Sequence, residues 1–304
     1  MKITVDVLDE RMLEIIDPEP ELELYHSGLE FTEGPVWYKE GDCFIFNDIP
    51  SSRTFSWSKG AGLRLLFNNG TKSNGMYLGR DGKLLICEHA TSSVVSRDLN
   101  GTRRKVLADY YGNIELNSPN DIVERSDGLV YFTDPIFGRT EKPSSVQRPI
   151  PSKHRAVYMY DPASGELSMV ADGYTNPNGL CFSEDEKTLY VNDSEEYLIK
   201  AYDVLPFGEL ANERVIAYVT GGAENHCPDG LKLDSLGNVV CAGQNGGVYW
   251  FDKDGKPLGI VHLDQVRVVN FCWGGEDGKT MFLTCAGEIY GLHTKVTGCK
   301  YFST

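Results

Sequence analysis

Polar and apolar residues alternate along most of this chain in short runs that end at glycine, asparagine or aspartate. Lys187-Thr188-Leu189-Tyr190-Val191-Asn192-Asp193, followed by Leu198-Ile199-Lys200-Ala201-Tyr202-Asp203, is typical. Both are short apolar runs with β-branched and aromatic residues, bounded by polar ones, which predicts paired strands. No segment carries the 3.6-residue period of a long amphipathic helix, and only a short helical turn is expected near residues 206–213.

The pattern repeats. From Ser118 to Asp134 a polar residue, Asn120, precedes an apolar run, an Asp-Gly pair and a second apolar run. With Asn120 the equivalent anchors are Glu33, Asn74, Asn178, Asp229 and Asn270, and successive anchors lie 41, 46, 58, 51 and 41 residues apart. Eight residues beyond them stand Gly41, Gly82, Gly128, Glu186, Gly237 and Gly278, so five of six copies share a turn glycine and the register is set. Each copy reads as strand, tight turn, strand, with room for about two more strands. The expected fold is all-β: a six-bladed β-propeller with four-stranded antiparallel blades. The last copy, residues 268–292, supplies only three strands. An N-terminal strand at about residues 22–26 is therefore predicted to complete the last blade, because an open ring would leave sheet edges unpaired. Residues 1–304 form one domain in this scheme. Residues 1–20, acidic and with two prolines, form an N-terminal arm, and residues 136–155 break the pattern as an active-site loop, expected to be a lid, with a disordered crossover as the alternative.

Charge narrows the partners. Against 29 Lys and Arg stand 44 Asp and Glu, a net charge of -15, which argues against nucleic acid and anionic membranes as partners. The N-terminus lacks a signal-peptide core and no run of about 18 apolar residues occurs, so a cytoplasmic protein is expected, as monomer or homodimer. The eight cysteines form no Cys-x-x-Cys pair and several sit in apolar runs, as buried thiols do.

In a propeller the first strand of each blade lines the central channel, so the six anchors converge at one mouth. Two carboxylates, Glu33 and Asp229, and four carboxamides make an oxygen-only set that suits a hard divalent cation. Calcium stands first, with magnesium, manganese, zinc or iron as alternatives. Asn and Asp are also ordinary turn residues; Glu33 in the same column favours the metal, while Asn74 and Asn270 are the most turn-like. A second column, Asp48, Glu88 with His89, Asp134 and Asp193, ends the second strands and is expected to brace turns and blades. His89 can still reach the mouth. His154, at the end of the loop, and His226, three residues before Asp229, are further candidates for substrate contact. No Gly-x-Ser-x-Gly motif supports a serine hydrolase.

Taken together, Glu33-Gly34-Pro35-Val36-Trp37, Ser73-Asn74-Gly75-Met76, Ser118-Pro119-Asn120-Asp121, Asn176-Pro177-Asn178-Gly179-Leu180 and Cys227-Pro228-Asp229-Gly230-Leu231 closely resemble the SMP-30/gluconolactonase/luciferin-regenerating-enzyme family over about residues 25–295. Ser118 stands where the vertebrate branch has arginine, and the Ser-Asn-Gly and Glu-His elements resemble the bacterial gluconolactonase-like branch. The resemblance implies a six-bladed propeller with a divalent metal in its channel, held by Glu33, Asn178 and Asp229. It implies a small-molecule lactone as substrate, contacted by Asn120. On this basis the chain is expected to open a sugar lactone such as gluconolactone. Asp229 and Asn120 would be catalytic, and Asn120, Asn74, His89, His154 and His226 would bind substrate. The alternatives are a promiscuous esterase or phosphotriesterase on the same site, or a non-catalytic calcium-binding propeller.

Overall fold

The computed structural model describes residues 2–219, 227–243 and 246–299. Six small antiparallel sheets follow one another round a ring as blades 1 to 6, each innermost strand packing beside the next and the sixth beside the first. The innermost strands are Thr32–Tyr38, Ser73–Leu78, Ile122–Glu124, Pro177–Phe182, Pro228–Leu233 and Asn270–Gly274. The six-bladed β-propeller expected from the repeat is what the chain forms.

Closure follows the predicted route. Leu22–Ser27 pairs antiparallel with Glu288–His293 and becomes the outer strand of blade 6. Tyr25 on that strand stacks on Trp57 of blade 1, ring centroids 4.0 Å apart, so the closing strand also bridges the first and last blades.

Two local expectations differ from the structure. Within the acidic arm, Ile3–Val7 is a strand that pairs with Pro257–Leu263 and gives blade 5 a fifth member. A short helix, Met12–Ile15, then buries Met12, Ile15 and Ile16 completely against blades 5 and 6. Residues 206–213 hold no helix: a turn at Pro206–Gly208 leads into the strand Leu210–Tyr218, where partners across the sheet outweigh local propensity.

The turn column behaves as its spacing implies. Gly82, Gly128, Gly237 and Gly278 have φ between +70° and +93°, and Glu186, the one copy without glycine, accepts +56°. In the first copy a 3-10 turn, Lys39–Gly41, passes the left-handed position to Asp42. Six apolar clusters of described residues fill the six blade interfaces. Trp250 and Trp273 both belong to the cluster between blades 5 and 6, and Trp37 and Phe44 pack on Phe282 between blades 6 and 1. The eight cysteines are free thiols, six of them buried. No helix among the described residues is long and apolar enough to cross a membrane.

Candidate active site

Where four of the six innermost strands begin, the backbone steps out of register. Bulges follow Glu33, Ser73, Pro177 and Pro228, so an anchor or its neighbour contributes an unpaired residue at the channel mouth. The freed backbone groups bond to the next blade instead. Asn47 Nδ2 donates to the carbonyl of Asn74 at 2.7 Å, Gly75 N to that of Asn120 at 2.8 Å, Thr133 Oγ1 to that of Asn178 at 2.7 Å and Asn192 Nδ2 to that of Asp229 at 2.6 Å. Gly230 N reaches Val269 O, and Asn270 Nδ2 reaches Glu33 Oε2 at 2.9 Å. These bonds make a belt that runs once round the ring and returns to its start.

Inside the belt lies a cavity of about 120 Å³. It is lined by Glu33, Asn74, His89, Asn120, Asn178 and Asp229, by the apolar Phe31, Ile49 and Phe137, by Glu141, Lys142, Pro143 and Ser144 of the loop, and by Cys227 and Arg267. Six of the eight site residues expected from sequence thus share one cavity. His154 is not among the lining residues; its Nδ1 lies 2.5 Å from Asp172 Oδ2 on a half-exposed surface. His226 lies outside the described residues. Asn270 is buried beside Glu33 and satisfied on both sides, its oxygen accepting from Phe271 N at 2.8 Å.

Charge in the cavity is concentrated and buried. Glu33 is 3 % exposed, and its carboxyl is pushed well above the usual range, by burial first and by the Asp229 carboxylate next. Its Oε2 accepts from Gly34 N at 2.5 Å and from Asn270, while Oε1 has no hydrogen-bond donor among the described residues. Asn178 gives its amide nitrogen to Ser194 Oγ at 3.0 Å, which leaves its oxygen as the free coordinating atom. Two buried carboxylates and an oriented carboxamide oxygen are a donor set that a hard cation fits. Behind them Asp121, standing where four other copies have glycine, faces Lys232 Nζ at 3.5 Å.

His89 is held from both sides. Its Nδ1 lies 3.3 Å from the carbonyl oxygen of Ser144, and its Nε2 lies 3.0 Å from Asn74 Nδ2. Burial, with Lys72 and Arg148 adding to it against the Ser144 hydrogen bond, brings its pKa down to about 4, so the ring is neutral at pH 7. The loop that supplies Ser144 is tied down. Arg139, 2 % exposed, reaches the carbonyls of Leu116, Asn117 and Pro149 and the carboxylate of Glu115, and Arg148 reaches the carbonyls of His89 and Ala90. Through Glu141, Lys142, Pro143 and Ser144 the segment forms one wall of the cavity.

The second column of acids serves the backbone. Asp48 accepts from Phe31 N at 2.9 Å, Asp134 from Asn117 N and Ser118 N, both at 2.8 Å, and Asp193 from Thr175 N and Asn176 N. Each thereby holds the strand-entry segment of its own blade. Glu88 instead binds Arg97 and Arg104. Sequence reasoning missed Phe31, Cys227 and Arg267, although a signal existed: they stand two or three residues before the anchors Glu33, Asp229 and Asn270. Ile49 and Ser194, like His89, directly follow a member of the second column.

Residues 31–287 match the SMP-30/Gluconolactonase/LRE-like region family model. The chain belongs to this family. The gluconolactonase of Zymomonas mobilis is 31% identical to it over 95% of this chain and 85% of that protein. Among solved structures, a putative gluconolactonase superposes with TM-score 0.88 at 28% identity, covering 98% of this chain and 100% of the other. The gluconolactonase XC5397 of Xanthomonas campestris superposes with TM-score 0.86 at 26% identity, covering 96% and 95%. For this SMP-30/gluconolactonase member, the likeness spans the whole ring and therefore includes every blade that contributes to the cavity.

Proposed function

We propose that this family member is a lactonase that opens an aldonolactone of the gluconolactone type to the free acid, aided by one divalent cation. The observation that carries the reading is the meeting of Glu33 from blade 1 and Asp229 from blade 5 in one buried cavity with Asn74, Asn120 and Asn178. Its small size suits a compact ring, and relatives named gluconolactonase align along nearly the entire chain.

Glu33, Asn178 and Asp229 would hold the cation, with calcium the first candidate for an all-oxygen set. When bound, it supplies Lewis acidity toward the lactone carbonyl and lowers the pKa of water. The chain's own residues do the rest. Asp229 accepts a proton from the water that adds to the carbonyl carbon, and that proton passes to the ring oxygen as the C–O bond breaks. Asn120 orients the carbonyl or a ring hydroxyl, and Phe31, Ile49 and Phe137 limit water around the reacting carbon. The segment 141–144 closes one side.

The test is hydrolysis of an aldonolactone panel, read by acid release, before and after chelation and after return of single cations. Loss of turnover on chelation with recovery on adding cation is expected. Unchanged hydrolysis in metal-free protein would overturn the cation's role. Faster turnover of aryl esters or phosphotriesters than of any lactone would overturn the lactonase assignment.

A further inference from the structure

The contacts around His89 determine which atom of Asn74 is offered to a ligand. Ser144 contributes a backbone carbonyl, which can only accept a hydrogen bond, so the His89 nitrogen facing it must carry the ring proton. In the neutral ring Nε2 is then a lone pair, and the Asn74 atom facing it must be the amide nitrogen as donor. The carboxamide is thus turned so that Oδ1 is buried with no hydrogen-bond partner, in a residue only 3 % exposed that lines the cavity. A buried acceptor left unsatisfied costs free energy, and a ligand that donates to it recovers that cost.

Resting on the lactonase reading, we propose that the loop, acting through His89, presets Asn74 Oδ1 as the acceptor for a hydroxyl group of the substrate, making Asn74 a specificity-determining contact and His89 its positioning residue. The geometry around the ring supports this. A Cβ on Gly138 would overlap the His89 ring, so the loop backbone packs directly on the imidazole, and Arg148 Nη2 donates to the His89 carbonyl at 2.9 Å. Turning the ring over would set ring carbons against Ser144 O and Asn74 Nδ2 and lose both bonds. Hydroxylated lactones gain this hydrogen bond and bare rings cannot. A site built to bond a substrate hydroxyl discriminates against the analogue that lacks it.

The experiment compares kcat/KM for a polyhydroxylated δ-lactone and for an unsubstituted δ-lactone in wild type, Asn74→Leu, His89→Phe and the double variant. Each single variant is expected to lower the ratio of the two by about tenfold, mainly through KM for the hydroxylated substrate. The double variant should be no worse than Asn74→Leu, because both act on one hydrogen bond. Equal losses on both lactones, an unchanged ratio or additive losses would overturn the inference. A second readout needs no turnover and no variant. Long-range 1H–15N correlation in the wild type, with His89 assigned through its backbone, should show the proton on Nδ1, and a proton on Nε2 would overturn the positioning role. If the wild type hydrolyses neither lactone, the lactonase reading itself fails, and the ring tautomer still decides how Asn74 is oriented.

Discussion

A side chain on Gly34 would overlap the backbone carbonyl oxygen of Asn74, the anchor residue of the neighbouring blade. The relationship recurs around the ring. A Cβ on Gly75 would meet Asn120 O, one on Gly179 would meet Asp229 O and one on Gly230 would meet the Asn270 side chain. The glycine after an anchor is thus what lets adjacent blades approach closely enough for the belt of hydrogen bonds to form and for the anchors to share a cavity.

Replacing Gly34 by alanine should therefore lower stability by about 3 kcal/mol or more, since both the overlap and its φ of +61° oppose a side chain. Gly60→Ala, at a position with open space around it, should be close to neutral. Urea unfolding of the two variants checks the contrast. Comparable stabilities would mean that the blades do not need this approach.

Asp229→Asn should stabilise the metal-free protein by about 1 kcal/mol or more, because it removes a buried carboxylate that opposes ionisation of Glu33. The same change should cut lactonase activity by about a hundredfold or more, as expected when a preorganised charge at a reacting centre is lost. Thermal unfolding in chelator, beside kinetics in added cation, measures both. A destabilised metal-free variant would count against crowded carboxylates.

The pH dependence of His89 has a definite sign. Its pKa in the folded protein, about 4, lies below the ordinary 6.5, so the unfolded chain binds more protons between those values. Its contribution to stability is present above pH 6.5 and is lost as the pH falls through about 4, to the extent of about 3 kcal/mol. Asp134 opposes this: burial lifts its carboxyl to about 7, and that contribution fades as the pH rises through the same range. Wild type alone mixes the two. The stability of His89→Phe relative to wild type should improve by about 3 kcal/mol between pH 7 and pH 4, as read by urea titration.

Arg139→Leu should cost about 2–3 kcal/mol, since it strips the carbonyls of Leu116, Asn117 and Pro149 of their donor in a largely buried setting. It should also open residues 136–155 to limited proteolysis. A loop equally resistant in the variant would show that Arg148 and the Gly138 contact suffice to hold it.

Much of the architecture was written locally. The anchor column, the glycine eight residues on and the missing strand of the last copy are spacing rules, and they led to six blades closed by Leu22–Ser27. The fifth strand of blade 5 was hidden because Ile3-Thr4-Val5-Asp6-Val7 alternates but sits in an acidic arm. What draws it in is the edge offered by Pro257–Leu263 and the cluster that receives Met12 and Ile16. The turn at 206–208 resembled a helix start until its neighbour across the sheet turned the next nine residues into strand. Phe31 and Arg267 enter the cavity from loops whose course no periodicity describes, and Arg267 lies over the Phe31 ring at 5.2 Å.

By itself the sequence determined the repeat, its turn chemistry and the residue types at the channel mouth, because strand alternation and tight turns depend on near neighbours. Only the tertiary structure decided that Asn74 faces His89, that Ser144 sets the proton on that ring and that Glu33 lies against Asn270. Those contacts join residues from different blades, and their geometry exists only once the ring has closed.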